Sequence, residues 1–184
     1  SCGFMGEEAL KRSNRDDRTR DPLFNQSKMY SELFKILGWL HPTKEGALVF
    51  TFTFLGAHVI EAQKYPYDLF NECLLGIVYP NPILDNKGNI KIRPFSTILK
   101  TIHELDDKIC RDELIVGPLC LNDDRNPHLF SLMIEEIKSL RKDRTLLNEK
   151  LHLISAKRKI AINTMQNYTR FPLAVLKWTG WCVP

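Results

Sequence analysis

Lys35-Ile36-Leu37-Gly38-Trp39-Leu40-His41-Pro42 and, far along the chain, Lys177-Trp178-Thr179-Gly180-Trp181-Cys182-Val183-Pro184 fall into one frame, K-x-x-G-W-x-x-P. In each copy the residues before the glycine read as a helix end and the glycine as a position that takes positive φ. The tryptophan then opens a strand and packs over the helix end. Arg20-Asp21-Pro22-Leu23 and Arg170-Phe171-Pro172-Leu173 precede the two copies, at different distances. Two such junctions predict two related units, each built on a helix, a glycine and a β-hairpin wing.

Working outward from the first copy, residues 1 to 26 are polar, with Arg12, Arg15, Arg18 and Arg20 interleaved with Asp16, Asp17 and Asp21. Little hydrophobic period is visible there, which predicts an arm or loop. From Ser27, taken as the N-cap, Met29, Leu33 and Leu37 recur at helical spacing beside Tyr30 and Phe34. After Gly38 the pattern predicts a short strand at Trp39 to His41, a turn over residues 42–46, and a strand from Ala47 to Phe54. In that strand Leu48, Phe50, Phe52 and Phe54 alternate with Val49, Thr51 and Thr53, the period of one buried face. A helix over Ala57 to Ala62 packs the hairpin from behind. Helix, glycine, hairpin, helix is the winged-helix order.

Tyr65-Pro66-Tyr67 marks a boundary, so the domains are expected at 1–64 and 65–184. A helix over Asp68 to Val78 is broken by Pro80 and Pro82. Pro94 suits the first position of a helix carrying Phe95, Ile98, Leu99, Ile102 and Leu105. A short helix at Arg111 to Val116 stops at Gly117-Pro118, and residues 122–127 form a loop. One long helical stretch then runs through Leu129, Leu132, Met133, Ile137 and Leu140 and on through Leu147, Leu151 and Ile154. A last helix over Ala161 to Thr179 is interrupted by Pro172. The second copy reaches Pro184 where its wing should turn, so its unit is expected to be truncated. The predicted class is mainly α with short β-hairpin wings, an α+β arrangement of tandem winged helix-turn-helix domains.

The 184 residues are 43% apolar and 26% charged, a globular balance, and no apolar run approaches the roughly 20 residues of a membrane span. The chain opens Ser1-Cys2-Gly3-Phe4 without an initiator Met or an apolar leader, which reads as a fragment of a cytoplasmic protein. Its five cysteines are odd in number and never spaced C-x-x-C, as expected of reduced thiols. Phosphate-binding, G-x-S-x-G and H-E-x-x-H motifs are absent, and the five histidines lack metal-ligand spacing. A Mg²⁺ nuclease centre needs carboxylates and a D/E-x-K triplet on adjacent strands. Asp106-Asp107-Lys108 ends a helix and Glu136-Ile137-Lys138 lies inside one, so neither qualifies. Catalytic and metal-binding residues are therefore not assigned, and a small-molecule ligand is not expected.

The net charge of +4 is mild, so where the cations sit matters more than their number. A helix-turn-helix lays its second helix in the major groove, where Asn or Gln pairs with adenine, Arg or Lys with guanine, and flanking cations hold phosphates. In the first unit these groups are Arg18, Arg20, Asn25, Gln26, Lys28 and Tyr30, with Lys44 at the wing tip. In the second they are Asn163, Gln166, Asn167, Tyr168 and Arg170. Lys157 and Arg158 end a run, Lys138 to Lys159, in which Lys138, Arg141, Lys142, Arg144, Lys150 and Lys159 outnumber Asp143 and Glu149. Such a run is a solvated face or a row of phosphate contacts.

Arg18-Thr19-Arg20-Asp21-Pro22, Lys35-Ile36-Leu37-Gly38-Trp39 and Phe52-Thr53-Phe54-Leu55-Gly56 together resemble the DNA-recognition region of type IIS restriction endonucleases of the AlwI and FokI kind. Ile92-Arg93-Pro94-Phe95 and Tyr168-Thr169-Arg170 through Gly180-Trp181 resemble their second winged-helix subdomain. The resemblance implies a bacterial cytoplasmic protein that reads an asymmetric double-stranded DNA site. Cleavage would fall to a separate Mg²⁺-dependent nuclease domain or subunit, with Arg18, Arg20, Lys28, Tyr168 and Arg170 among the contact residues. Two other classes fit a winged-helix pattern: a transcription regulator that dimerises on a palindrome, and a scaffold that binds a partner protein.

Overall fold

The computed structural model describes residues 6–13, 21–43, 50–62, 66–81 and 90–182. The chain is mainly helical with a small two-stranded antiparallel sheet, and it divides into two compact units, Ser1–Phe70 and Asn71–Pro184. Among the described residues no helix is long and apolar enough to cross a membrane.

The first unit begins with α1 (Gly6–Lys11), inside the stretch expected to be an arm, where Arg12 pairs with Glu8 at 2.6 Å. Next comes α2 (Pro22–Ile36), whose N-cap lies six residues before the expected Ser27. The cap is Asp21. Its Oδ1 accepts from the Leu23 and Phe24 amides at 2.8 and 3.2 Å, and its Oδ2 accepts from the Ser13 hydroxyl at 2.9 Å. Pro22 at the first helical position needs no amide partner, so Asp-Pro outcompetes a serine in mid-helix.

At the far end of α2 the amide of Gly38 donates to Lys35 O and that of Trp39 to Phe34 O, a glycine-closed helix end with Gly38 at φ 75°. The turn drops the Trp39 ring onto Phe34, centroids 5.3 Å apart, and its edge meets Phe70. Strands β1 (Leu40–Pro42) and β2 (Phe50–Phe52) pair antiparallel with Leu40 opposite Phe52 and Pro42 opposite Phe50. Helix α3 (Phe54–Glu61) follows at once, three residues before the expected Ala57.

Thr53 makes that early start. Its hydroxyl donates to Gly38 O at 2.6 Å and accepts from the Gly56 amide at 2.9 Å, so one side chain ends the strand, caps α3 and ties both to the α2 turn. Of the expected buried face, Leu48 lies outside the described residues with the start of its strand, Phe50 is half-buried, and Phe52 and Phe54 are instead 62% and 92% exposed. Once Thr53 caps a helix, Phe54 becomes its first residue and leaves the strand register. Gly56 lies so close to β1 that a Cβ there would sit 2.1 Å from Trp39 O.

Helix α4 (Pro66–Leu75) spans the boundary between the units. In the second unit, Tyr79 and Ile92 bridge antiparallel and Lys91 and Asp123 bridge in parallel. Helix α5 (Pro94–Glu104) buries Phe95, Ile98 and Ile102 as its spacing predicts, while His103 stays exposed beside Asp107. Then come α6 (Arg111–Val116), α7 (Pro127–Leu140), α8 (Arg144–Arg158), α9 (Ile162–Tyr168) and α10 (Arg170–Trp178). One apolar cluster centres on Leu105, Ile115, Ile137 and Leu151, and a second joins Ile98, Ile102, Leu114 and Leu176, with Trp181 and Cys182 packed on it.

The long helix expected over residues 129–154 is broken at 141–143, where Asp143 caps α8 by accepting from the Thr145 amide. Arg141, at the break, is only partly solvated. It donates to Glu113 Oε1 at 2.7 Å and Oε2 at 3.1 Å, to Leu105 O at 2.9 Å and to Lys108 O. Glu113 is itself buried and also accepts from the Cys110 amide that starts α6. Burial would raise the Glu113 pKa, but the Arg141 guanidinium and the Cys110 amide outweigh it and hold the carboxyl below its ordinary range.

The last helix breaks upstream of the proline, at Thr169. Pro172 has no amide to offer the Tyr168 carbonyl four residues back, so α9 ends there and Pro172 sits in the first turn of α10. Thr169 stays in the right-handed helical region, and its hydroxyl donates to Gln166 O at 2.7 Å. Gly180 takes φ 73° and donates to Lys177 O, as Gly38 does in the first copy. A winged strand pair is absent after it among the described residues, which end at Cys182.

Two outcomes follow. Gly56→Ala is expected to cost about 3 kcal/mol, the upper end for overpacking, because the obstacle is backbone. Gly180→Ala, with open space around its Cβ, costs about 1–2 kcal/mol for its backbone conformation alone, both read by urea unfolding. A carboxyl with a depressed folded pKa contributes stability that is full above its unfolded value and lost as pH falls through the folded one. The second unit should therefore lose stability below the ordinary glutamate value of 4.5, and Glu113→Gln should flatten that slope. Arg141→Ala at neutral pH should cost about 3 kcal/mol, the low end for breaking a buried pair, since Arg141 keeps some contact with water.

Candidate nucleic-acid interface

The candidates from the first unit divide between two sides of α2. Asn25 and Lys28, three residues apart, are exposed beside Met29, which is 57% exposed. Gln26 and Tyr30, four apart, are half-buried, and the Tyr30 ring stacks on Phe34 at 6.1 Å in the aromatic row that Trp39 continues. Gln26 and Tyr30 thus belong to the packed side of the helix. Arg18, Arg20 and Lys44 lie outside the described residues.

In the second unit Asn163, Asn167 and Arg170 follow at i, i+4 and i+7 and are all exposed, with Tyr168 60% exposed beside them. The helical backbone of Thr169 keeps Arg170 in register with α9. Gln166 departs from the set. It is half-buried, and its Nε2 donates to Asp112 Oδ1 at 3.1 Å, so its amide joins α9 to α6.

Counting back from the two positive-φ glycines reveals a correspondence that motif reading missed. Asn25 and Asn167 each stand thirteen residues before the glycine, Lys28 and Arg170 ten, and the exposed Met29 and Phe171 nine. Both helices therefore present an amide, a cation one turn on, and an apolar side chain next to it. The shared glycine distance was the available signal. It is obscured in the sequence because Arg20-Asp21-Pro22 and Arg170-Phe171-Pro172 invite alignment on the prolines instead.

No known family matches this chain, nor does any curated protein or solved structure. What the surface can do is argued from its own geometry.

The basic run disperses. Lys150 pairs with Glu136, Arg141 clamps the buried Glu113, and Lys157 and Arg158 line a groove whose other walls include exposed leucines. A different basic cleft, of about 540 Å³, opens at the starts of α5 and α7, lined by Arg93, Lys100, Arg125 and Ser131. Asp124 Oδ2 accepts there from the Arg93 backbone amide, its Nε and the Thr97 hydroxyl. Arg93-Pro94 and Arg125-Asn126-Pro127 place each arginine just before a helix-starting proline, a signal visible in the sequence but not taken up. The Asp106-Asp107-Lys108 triplet sits in the turn after α5, both aspartates at positive φ, and Glu136-Ile137-Lys138 lies within α7.

Asn167→Ala and Arg170→Ala should leave the unfolding free energy within about 0.5 kcal/mol of the parent, as exposed positions do. Gln166→Ala should lower it by about 0.5–1.5 kcal/mol through loss of the Asp112 bond. Urea unfolding separates the two groups.

Proposed function

We propose that this chain reads a specific sequence in double-stranded DNA, each unit presenting one helix to a few base pairs. The observation that carries this is the matched exposed face of α2 and of the α9–α10 junction: Asn25 with Lys28, and Asn167 with Arg170, at equal distances from a left-handed glycine. An asparagine amide offers the donor and acceptor that match adenine N7 and N6, and arginine or lysine matches guanine O6 and N7. Exposed at one-turn spacing on a helix, such a pair can reach adjacent base edges in the major groove. Lys100 and Arg125, in the cleft beside the Arg93–Asp124 pair, supply cations for phosphates.

The resemblance to type IIS restriction endonucleases extends this proposal to the target-reading part of a winged-helix restriction enzyme, with Mg²⁺-dependent cleavage in a separate nuclease domain or subunit. Two unlike units favour an asymmetric site. The transcription-regulator class would instead require a palindrome.

Selection of bound duplexes from a random library at about 0.1 M salt tests this, because non-specific phosphate binding is already weakened there. One asymmetric motif of roughly five base pairs is expected. Arg170→Ala and Asn167→Ala should each relax preference at one position by about 1–3 kcal/mol, while Lys100→Ala weakens all duplexes alike. An enriched palindrome would favour the regulator, and no enrichment would remove DNA reading altogether.

A further inference from the structure

Helix α8 turns back beside α7, and the two present stripes of the same spacing to one open groove of about 560 Å³. From α7 come Leu129, Leu132 and Glu136, and from α8 come Lys150, Leu153 and Lys157, each set at i, i+3 and i+7. The leucines are 40%, 47% and 67% exposed, although the same helices bury Ile137 and Leu151 in the core. Helix α7 thus exposes Leu129 and Leu132 beside its buried stripe, with Leu153 of α8 across the groove between two lysines, and apolar surface rimmed by charge marks an interaction site.

The charges say what kind of surface would cover it. Lys150 is matched by Glu136, whereas Lys157 and Arg158 have no carboxylate within ion-pair distance among the described residues. Arg158 reaches only the Leu119 carbonyl, at 3.4 Å. A duplex backbone would satisfy the cations but leave three leucines against phosphate, so this face does not suit DNA. An acidic amphipathic helix suits both: its apolar ridge fits between two helices with i, i+3, i+7 stripes, and its carboxylates meet the unmatched cations.

We propose that the groove between α7 and α8 binds an acidic amphipathic helix of a partner protein, with Leu129, Leu132 and Leu153 as the apolar contacts and Lys157 and Arg158 pairing its carboxylates. This assigns the end of the basic run to protein recognition, and it stands independently of DNA reading at α2 and α9–α10.

The test uses the full chain and a fluorescein-labelled helical peptide with leucines at i, i+3 and i+7 flanked by glutamates, followed by anisotropy. The control peptide has lysines for glutamates. The chain should bind the glutamate peptide in preference to the control. Leu153→Glu, and the double change Lys157→Glu with Arg158→Glu, should each weaken it roughly tenfold or more. The double variant should in turn prefer the lysine peptide. Leu132→Glu serves as a second apolar variant should circular dichroism show Leu153→Glu to be misfolded, and duplex binding by either leucine variant should be unchanged. Equal binding of both peptides, or of neither, overturns the proposal. So does a dimer in sedimentation that Leu153→Glu splits, which would make a second copy the occupant, or capture by anionic phosphatidylglycerol vesicles without peptide binding.

Discussion

The left-handed glycine after α2 is the constraint on which the first unit depends. Only a residue without a Cβ adopts φ near +75° at little cost, and that conformation sends the Trp39 amide back to the Phe34 carbonyl while turning the indole onto the Phe34 ring. It also leaves the Gly38 carbonyl where the Thr53 hydroxyl can donate to it, so the helix end, the strand pair and the start of α3 share one hydrogen-bonded corner. Gly56 completes the corner by letting α3 approach the Trp39 backbone more closely than any side chain permits. The second copy keeps the glycine and its conformation but uses the tryptophan differently, packing Trp181 on the Leu176 cluster.

In the second unit the corresponding role falls to a charge pair. Arg141 stands where α7 ends, and its guanidinium holds the Glu113 carboxylate and two carbonyls of the α5–α6 connection. Glu113 meanwhile caps α6 through the Cys110 amide. A buried carboxylate is tolerated because its oxygens are shared between a cation and a backbone amide.

Tertiary structure sorts residues that composition treats alike. Cations in the run from Lys138 to Lys159 become a clamp on the buried Glu113, an ion pair with Glu136 and the rim of an apolar groove. Amides sort the same way: Asn167 faces outward while Gln166, one residue earlier, bonds Asp112. On α2, Asn25 and Lys28 lie on the open side, and Gln26 and Tyr30 lean toward the aromatic row. A helical turn of 3.6 residues is enough to separate neighbours in this way, and only the position of the packed face decides which neighbour faces outward.

From the sequence alone came the mainly helical class, α5 and α6, the positive-φ roles of Gly38 and Gly180, and a hairpin between α2 and α3. These rest on local rules: period, proline at a helix start, and glycine where a Cβ is costly. The start of α2 at Asp21, the early start of α3 at Thr53 and the break at Arg141 were decided by competition between caps and by partners distant in sequence. Side-chain hydrogen bonds to Ser13, Gly38 and Glu113 settled each of them. Likewise, residue type alone nominated asparagines, glutamines and cations for recognition. Which of them reach solvent depended on the packing of helices against one another, because burial is a property of the assembled unit and not of any segment of its sequence.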